Sequence, residues 1–321
     1  FVTDVTLTIS ASVVLVPLAL YDRWRRTSAL TPEALALRLV RLWLSVAGIT
    51  AVIVLAIQLP RWGVPFVLRI ALLAAAVVAG SLVFDELGFA LSMRQWGPRE
   101  TPPQALRDAN RQLARLAGIR EPEVHYVLSG RVRIANAFAG GLIRPRVAMT
   151  SELYQQLESP QWQWVLAHEI AHLRFHHRWL MVGSGALLSA LVLSGGEVLI
   201  RSSGDLPLWV LFGLVGLLNF TGLRTLPGML SRRHEDQADR EAVRLTGLLQ
   251  SAGPTAREEA DPARLAASAL LRIREINDSR DAEGRLSALS ATHPRLAARI
   301  GRLGFVLGDH DELVPLDQFQ P

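Results

Sequence analysis

The segment His168-Glu169-Ile170-Ala171-His172 carries the clearest chemical signal in the chain. In an α-helix, residues four apart lie on the same face, so both imidazoles can bind one metal ion. Two histidines at this spacing are typical of Zn²⁺ sites. A glutamate directly after the first histidine can take the proton of the metal-activated water. The pattern predicts metal-assisted peptide hydrolysis with Glu169 as general base.

A catalytic zinc site of this kind needs a third protein ligand, and the candidates lie in the segment 231–239. Glu235 and Asp239 are four residues apart and share a helix face. Glu235 can bind zinc, whereas Asp239 can orient a ligand histidine through its second ring nitrogen. His234 is the alternative third ligand. It points about 100° away from Glu235 around the helix, so both cannot face the metal equally well.

Composition favours a membrane protein and limits the kind of metal site. Hydrophobic residues make up 50% of the chain, and there is no cysteine. Disulfides and thiolate zinc sites are therefore excluded, and a zinc ion must have nitrogen and oxygen ligands. Lysine is also absent, so the net charge of +5 comes from arginine. The arginines flank apolar segments and no nucleic-acid motif is present, so we expect a lipid bilayer and no nucleic acid as partner.

Apolar stretches long enough to cross a bilayer occur five times. They are Val5–Tyr21, Leu42–Leu59, Val64–Phe84, Trp179–Ile200 and Leu206–Leu223. Arginine-rich loops alternate with arginine-poor ones, which predicts a multi-pass protein of the bacterial inner membrane with the arginine-rich side in the cytoplasm. A cleaved signal peptide is the alternative for the first stretch, which lacks a basic n-region and a small-residue cleavage site.

These spans divide the chain into four parts. Residues 1–94 hold three transmembrane helices, 95–178 the first part of a protease domain, 179–223 a transmembrane hairpin and 224–321 the second part of that domain. The short turn between the last two spans returns the chain to the same side, so both polar parts can build one catalytic domain. The predicted fold is mainly α: a polytopic helical membrane protein with a zincin-like α+β catalytic domain on the cytoplasmic side.

Local patterns predict the elements that position the candidate site. Pro102-Pro103 precede an amphipathic helix, and Thr150 or Ser151 can cap a short helix that ends at Leu157. Ser159 followed by Pro160 predicts the start of the histidine-bearing helix, with serine as N-cap. Strands are expected at Glu123–Leu128, Arg133–Ala139 and Arg146–Met149. Further helices are expected at Ser231–Leu249, Ala263–Ile276 and Pro294–Leu303, and a poorly ordered tail from Gly308.

Motifs at four places occur in a characteristic order. They are Asn136-Ala137-Phe138-Ala139, His168–His172, Ser231 with Glu235 and Ala238-Asp239, and Thr292-His293-Pro294 followed by Arg299-Ile300. In this order the chain resembles the integral-membrane zinc metalloendopeptidase family of HtpX and the CAAX prenyl endopeptidase. The resemblance runs from about residue 105 to residue 303. It implies one Zn²⁺ per chain and a protein or peptide substrate, and it favours a role in membrane protein quality control.

The resemblance also implies roles for individual residues. The implied zinc ligands are His168, His172 and Glu235, with Glu169 as base and Asp239 behind a ligand. The implied oxyanion donors are His293 and Arg299, which would face the scissile carbonyl. The implied substrate-binding residues are Asn136, Ala137 and Phe138, on an edge strand with which an extended substrate could pair.

Two alternatives share the same sequence features. Three spans before the catalytic domain, together with the segment 141–145, also resemble signalling metallopeptidases of the BlaR/MecR type, which cleave a specific regulator. A non-catalytic membrane scaffold is the second alternative, and the intact Glu169 argues against it. The motifs specify neither the substrate sequence nor the oligomeric state.

Overall fold

A computed structural model describes residues 40, 58–59, 62–96, 98–128, 135–202, 208–251, 261–281, 296–307 and 313–317. The chain forms two compact units, and each is built from two separate segments. Residues 1–95 and 179–227 form the first unit, and residues 96–178 and 228–321 form the second. The expected span Val5–Tyr21 and most of Leu42–Leu59 lie outside the described residues.

The elements follow one another as a long helix, a mixed α/β region and then a series of helices. In chain order they are α1 (Phe66–Trp96), β1 (Arg99–Glu100), α2 (Gln104–Ala117), β2 (Glu123–Val127), β3 (Ala137–Gly140), β4 (Arg146–Thr150), α3 (Ser151–Gln156), α4 (Ser159–Arg174), α5 (His177–Ser202), α6 (Leu208–Ser251), α7 (Pro262–Asp281), α8 (Leu296–Arg302), β5 (Phe305–Leu307) and β6 (Leu313–Pro315).

The first unit contains α1, whose segment Phe66–Val83 is long and apolar enough to cross a membrane. It is the one segment of this kind among the described residues, and only 6% of it is buried within the protein. It lies inside the third expected span. The fourth and fifth expected spans fall in the helices α5 and α6, apart from the first residues of the fifth. The multi-pass arrangement itself stays a prediction.

The second unit contains a four-stranded sheet in the order β1-β2-β4-β3. Strands β2 and β4 are parallel, whereas β3 runs antiparallel to β4 with Phe138 opposite Ala148. The expected strands at β2 and β4 are confirmed to within one residue. Strand β3 starts later than expected, at Ala137, and residues 129–134 lie outside the described part. This order leaves β3 at an edge of the sheet, next to α4.

Helix α4 lies in the core of the second unit, which explains why its side chains are held in place. It packs against α2, α7 and strand β3. The expected apolar face of α2 is confirmed, because Leu106 and Leu113 are fully buried. Other fully buried core side chains are Met149, Trp164, Leu166, Ile170, Leu245 and Ile300. Close packing of this kind restricts side chains to few rotamers, so the residues on α4 have defined positions.

Helix starts largely follow the expected capping signals. Thr150 is confirmed as the N-cap of α3, where its hydroxyl accepts a hydrogen bond from Leu153 N–H. The expectation that Ser159 caps α4 is wrong by one residue. Glu158 is the N-cap, because its side chain and that of Gln161 form a reciprocal capping box.

Two further expectations about boundaries are corrected. The fifth expected span and the helix expected at Ser231–Leu249 belong to one continuous helix, α6. The expected disorder from Gly308 is wrong for residues 313–317, since β6 pairs antiparallel with β5. The helix expected at Pro294–Leu303 is described from Leu296 onward as α8.

Candidate metal centre

Three side chains from α4 and α6 converge on one point in the second unit. His168 and His172 lie on one face of α4, and their Nε2 atoms are 3.1 Å apart. Glu235 approaches from α6. Its Oε2 lies 3.6 Å from His168 Nε2, and its Oε1 lies 3.6 Å from His172 Nε2. The structure thus brings together the two motif histidines and Glu235 rather than His234.

This donor set fits a zinc ion in both chemistry and spacing. Two imidazole nitrogens and one carboxylate oxygen are the ligand types of catalytic zinc sites. Ligand atoms about 2.0–2.1 Å from a tetrahedral ion lie about 3.3 Å from one another. The observed separations of 3.1–3.6 Å are close to this value. The site could therefore hold the ion with small side-chain adjustments.

Asp239 fixes the orientation of His168. Its Oδ1 lies 2.9 Å from His168 Nδ1, so Nδ1 carries a proton and Nε2 faces Glu235. Burial alone would lower the pKa of His168, but the hydrogen bonds to Asp239 and Glu235 outweigh it and raise that pKa to about 9. The same carboxylates that attract a proton attract a metal cation, which would displace the proton on Nε2.

Arg299 also binds the carboxylate of Asp239. Its Nε and Nη2 donate to the two carboxylate oxygens at 2.9 and 2.6 Å. Burial would raise the pKa of Asp239, but the contacts with His168 and Arg299 outweigh it and lower that pKa to about 2. Arg299 Nη1 also lies 3.7 Å from Glu235 Oε2. The guanidinium is therefore part of the support of the metal centre.

Glu169, the expected base, lies between the metal centre and strand β3. Its side chain is 8% exposed, and its Oε2 accepts a hydrogen bond from Ala139 N–H at 2.6 Å. The carbonyl of Ala139 accepts a longer hydrogen bond, 3.4 Å, from Arg178. The candidate base is thus attached to the backbone of the edge strand.

The other residues expected at the substrate side lie along the same strand. Ala137 and Phe138 are half-buried members of β3. Asn136 precedes the strand, and its backbone exchanges hydrogen bonds of 3.0 Å with Thr150. His293, the other expected oxyanion donor, lies outside the described residues.

The structure places two further residues, His177 and Gln237, beside the candidate ligands; from the sequence, His177 is expected at the membrane interface or behind a ligand, and Gln237 has no expected role. His177 Nδ1 lies 2.9 Å from His172 Nδ1, and His177 Nε2 lies 3.2 Å from Gln237 Oε1. The ring of His177 stacks on that of His234, with centroids 4.2 Å apart and an interplanar angle of 9°. Burial lowers the pKa of His177 to about 4, so its ring is neutral at pH 7. The sequence signal for these two residues is their position close to candidate ligands along the chain: His177 follows His172 by five residues, and Gln237 follows Glu235 by two.

Comparison with protein-family models gives a match to peptidase family M48 over residues 101–304, which is more than half of the chain. The chain belongs to peptidase family M48. The matched range contains both histidines, Glu235 and Arg299. The family expected from the ordered motifs is therefore confirmed.

Two relatives of the chain are named as proteases. The chain is 27% identical over 264 residues to a protease HtpX homologue of Streptococcus uberis, which covers 74% of this chain and 86% of the relative. It is 28% identical over 209 residues to a protease HtpX homologue of Methanopyrus kandleri, covering 60% and 63%. Membership of family M48 and these relatives support a membrane-associated metallopeptidase.

The fold is also similar to that of a solved structure. The crystal structure of S. mikatae Ste24p matches with a TM-score of 0.56 at 18% identity. The match covers 94% of this chain and 74% of that chain. The likeness therefore extends beyond residues 101–304.

Proposed function

We propose that this M48 peptidase is a zinc-dependent endopeptidase that cleaves proteins at a membrane. The convergence of His168, His172 and Glu235, with Glu169 directly beside them, is the observation that carries the proposal. These three ligands would hold Zn²⁺, which supplies Lewis-acid activation of water and of the scissile carbonyl. The ordering of His168 by Asp239 supports the same assignment.

Glu169 is the proposed general base and, later, the proposed acid. Its carboxylate would accept a proton from the attacking water and deliver a proton to the leaving amine. The hydrogen bond to Ala139 places this carboxylate at the edge of the sheet. A substrate aligned with that edge would thus have its scissile bond within reach of the base.

Strand β3 is the proposed substrate platform. The backbone N–H and C=O of Asn136 point toward β4, because both form hydrogen bonds with Thr150. These groups alternate in direction along a strand, so those of Ala137 point away from the sheet. An extended peptide could add to this edge with little dependence on side-chain identity. Such pairing suits an enzyme that degrades many damaged proteins, so the proposed role is protein quality control at the bacterial inner membrane.

Charge stabilisation of the oxyanion is assigned to Arg299 and His293. The guanidinium of Arg299 is held by Asp239, so in this proposal it contributes positive charge from a fixed position. His293 would supply the direct donor. Donors aimed at developing charge are worth about 2.7–4 kcal/mol each in other hydrolases.

The variant Glu169→Gln tests this proposal, with Glu158→Gln at the exposed start of the same helix as control. The full chain is purified in detergent, and its zinc content and cleavage of an unfolded protein are measured. We expect about one zinc in all three proteins and at least a 100-fold loss of cleavage in Glu169→Gln alone. Retained cleavage in that variant would refute the role of Glu169, and a wild-type protein without zinc would refute the metal.

A further inference from the structure

The two histidine ligands have supports of different kinds. His168 is held by a carboxylate, since Asp239 Oδ1 lies 2.9 Å from its Nδ1. His172 is held by another histidine, since His177 Nδ1 lies 2.9 Å from its Nδ1. The second support is therefore an imidazole rather than a carboxylate. The residues that form this second support, His177 and Gln237, have no role in the proposed reaction.

The direction of each hydrogen bond follows from the chemistry of imidazole. If His172 binds a metal through Nε2, its Nδ1 carries a proton and donates it. His177 Nδ1 must then accept. A neutral imidazole has one N–H group, so that of His177 is on Nε2. This N–H points to Gln237 Oε1 at 3.2 Å, and the amide oxygen can accept it.

Packing holds His177 in this position. The residue is 4% exposed, and its ring stacks on those of His234 and Phe175. His176, directly before it, has a φ of 54° and lies between the end of α4 and the start of α5. His177, five residues after His172, contacts the ring of that residue. Helix α6 therefore provides Glu235 to the metal centre and two partners to His177. The ring of His234 stacks on it, and the amide of Gln237 faces its Nε2.

We propose that His177, with its tautomer set by Gln237, is a positioning residue for the zinc ligand His172. The proposal rests on the proposed function, because it takes His172 to be a ligand. It predicts that His177, which contacts a ligand but not the ion itself, changes zinc affinity. Loss of partners in this position lowers metal affinity by about 10–100-fold in other zinc sites.

His177→Phe is the decisive variant, because it keeps an aromatic ring for stacking but cannot accept a hydrogen bond. His176→Asn is its matched control: this neighbour is exposed, and asparagine tolerates the left-handed backbone. Zinc affinity of the detergent-purified full chain is measured by competition with a chromophoric chelator. We expect about 10–100-fold weaker binding in His177→Phe and no change in His176→Asn.

Two further variants separate positioning from packing. His177→Gln restores an acceptor and should recover part of the affinity. Gln237→Leu, at an exposed position, should lower affinity about fivefold, as for loss of one hydrogen bond. In the cobalt-substituted protein, the visible absorption bands should shift in His177→Phe and Gln237→Leu but not in His176→Asn.

The outcomes distinguish this proposal from the proposed function. A wild-type chain that binds no zinc refutes the metal site itself. Wild-type zinc affinity in His177→Phe, or no recovery in His177→Gln, overturns the role of His177. Thermal melting of the metal-free proteins shows whether each variant is folded, and if His177→Phe is not, unchanged affinity in Gln237→Leu overturns the proposal instead.

Discussion

Adjacent residues of α6, His234 and Glu235, take different tasks at the metal centre. The Glu235 carboxylate lies 3.6 Å from both ligand nitrogens of α4, whereas the His234 ring stacks on His177. Successive helical residues point about 100° apart, so Glu235 faces the candidate metal centre and His234 faces His177. The acidic residue is the better choice for the ion, because its charge offsets that of the metal.

The ion pair between Asp239 and Arg299 should contribute to stability as well as to ligand orientation. Both side chains are buried and joined by two hydrogen bonds. Arg299→Met would leave the buried carboxylate of Asp239 without its cationic partner. We therefore expect a loss of about 3–5 kcal/mol in unfolding free energy. Asp239→Asn should cost less after Arg299→Met than alone, in a double-mutant cycle followed by thermal unfolding of the metal-free chain.

Arg302→Met is the control for this cycle, because Arg302 lies on the same short helix and is exposed. A surface substitution of this kind should change the unfolding free energy by less than about 0.5 kcal/mol. Equal effects of Arg299→Met and Arg302→Met would show that the buried pair has no special weight in stability.

Local spacing explains which site residues could be predicted from sequence. His168, Glu169 and His172 lie within one helical turn and a half, so the shared face of the two histidines and the adjacent position of Glu169 follow from helix geometry. The choice of Glu235 over His234 depends on how α6 is rotated against α4, which spacing alone does not determine. The pairing of Arg299 with Asp239 and of Gln237 with His177 depends on tertiary contacts, so the sequence did not reveal them.

At the level of elements, Glu241 joins the two ligand-bearing helices. It belongs to α6 and accepts hydrogen bonds from Arg174 of α4 and from Arg244. Burial would raise the pKa of Glu241, but the contacts with Arg244 and Arg174 outweigh it, so its pKa lies below the ordinary 4.5. The contact helps to fix the distance between α4 and α6.

The pH dependence of stability should reveal this contact. Because the folded-state pKa of Glu241 is depressed, its stabilisation is fully present above pH 4.5 and is lost as the pH falls through the folded-state value. Glu241→Gln should therefore lower the unfolding free energy by about 1–2 kcal/mol at pH 7, and less below pH 4.5. Glu275→Gln, in an exposed pair with Arg272, should have little effect at either pH. A Glu241→Gln deficit that is independent of pH would contradict this account.

Asn277 of α7 closes one end of the edge strand. Its amide donates to Ala135 C=O at 3.1 Å and accepts from Ala135 N–H at 3.2 Å, as a neighbouring strand would. Glu169 and Arg178 bind the backbone of Ala139 at the other end. Between them, Ala137 offers the outward backbone groups to which a substrate strand would pair.

Removal of this closure should change where substrates are cut. In Asn277→Ala, the backbone of Ala135 becomes available to a bound peptide, so we expect additional pairing registers and a broader set of cleaved bonds. Mass spectrometry of the products of an unfolded protein would measure this. Glu275→Ala, on the exposed side of the same helix, is the control. Identical cleavage patterns in both variants and wild type would remove Asn277 from substrate binding.

Element boundaries show where local signals stop being sufficient. The N-cap of α4 is Glu158 and not the expected Ser159. The side chains of Glu158 and Gln161 each bind the other's backbone N–H, and this reciprocal contact outweighs the usual preference for serine. Helix α6 continues through Pro227, although proline removes a backbone donor there. The strands β2 and β4 were predictable because their apolar residues occur in short, turn-bounded runs.

At the scale of the whole molecule, each compact unit is discontinuous in sequence. His168 and His172 precede the inserted segment 179–227, and Glu235 follows it. The candidate metal centre is therefore complete only when both parts of the second unit have folded together. Zinc binding should accordingly stabilise the assembled unit by linkage.

Orientation in the membrane can be tested on this chain because it has no native cysteine. The arginine pattern predicts that the catalytic unit faces the cytoplasm and that Ser203, between the fourth and fifth expected spans, lies on the opposite side of the membrane. Single cysteines are introduced by Arg107→Cys, at an exposed position of α2, and by Ser203→Cys. In intact spheroplasts a membrane-impermeant maleimide should label only Ser203→Cys, whereas after permeabilisation it should label both. The cysteine-free wild type gives the background. Labelling of Arg107→Cys in intact spheroplasts would place the proposed protease site outside the cytoplasm.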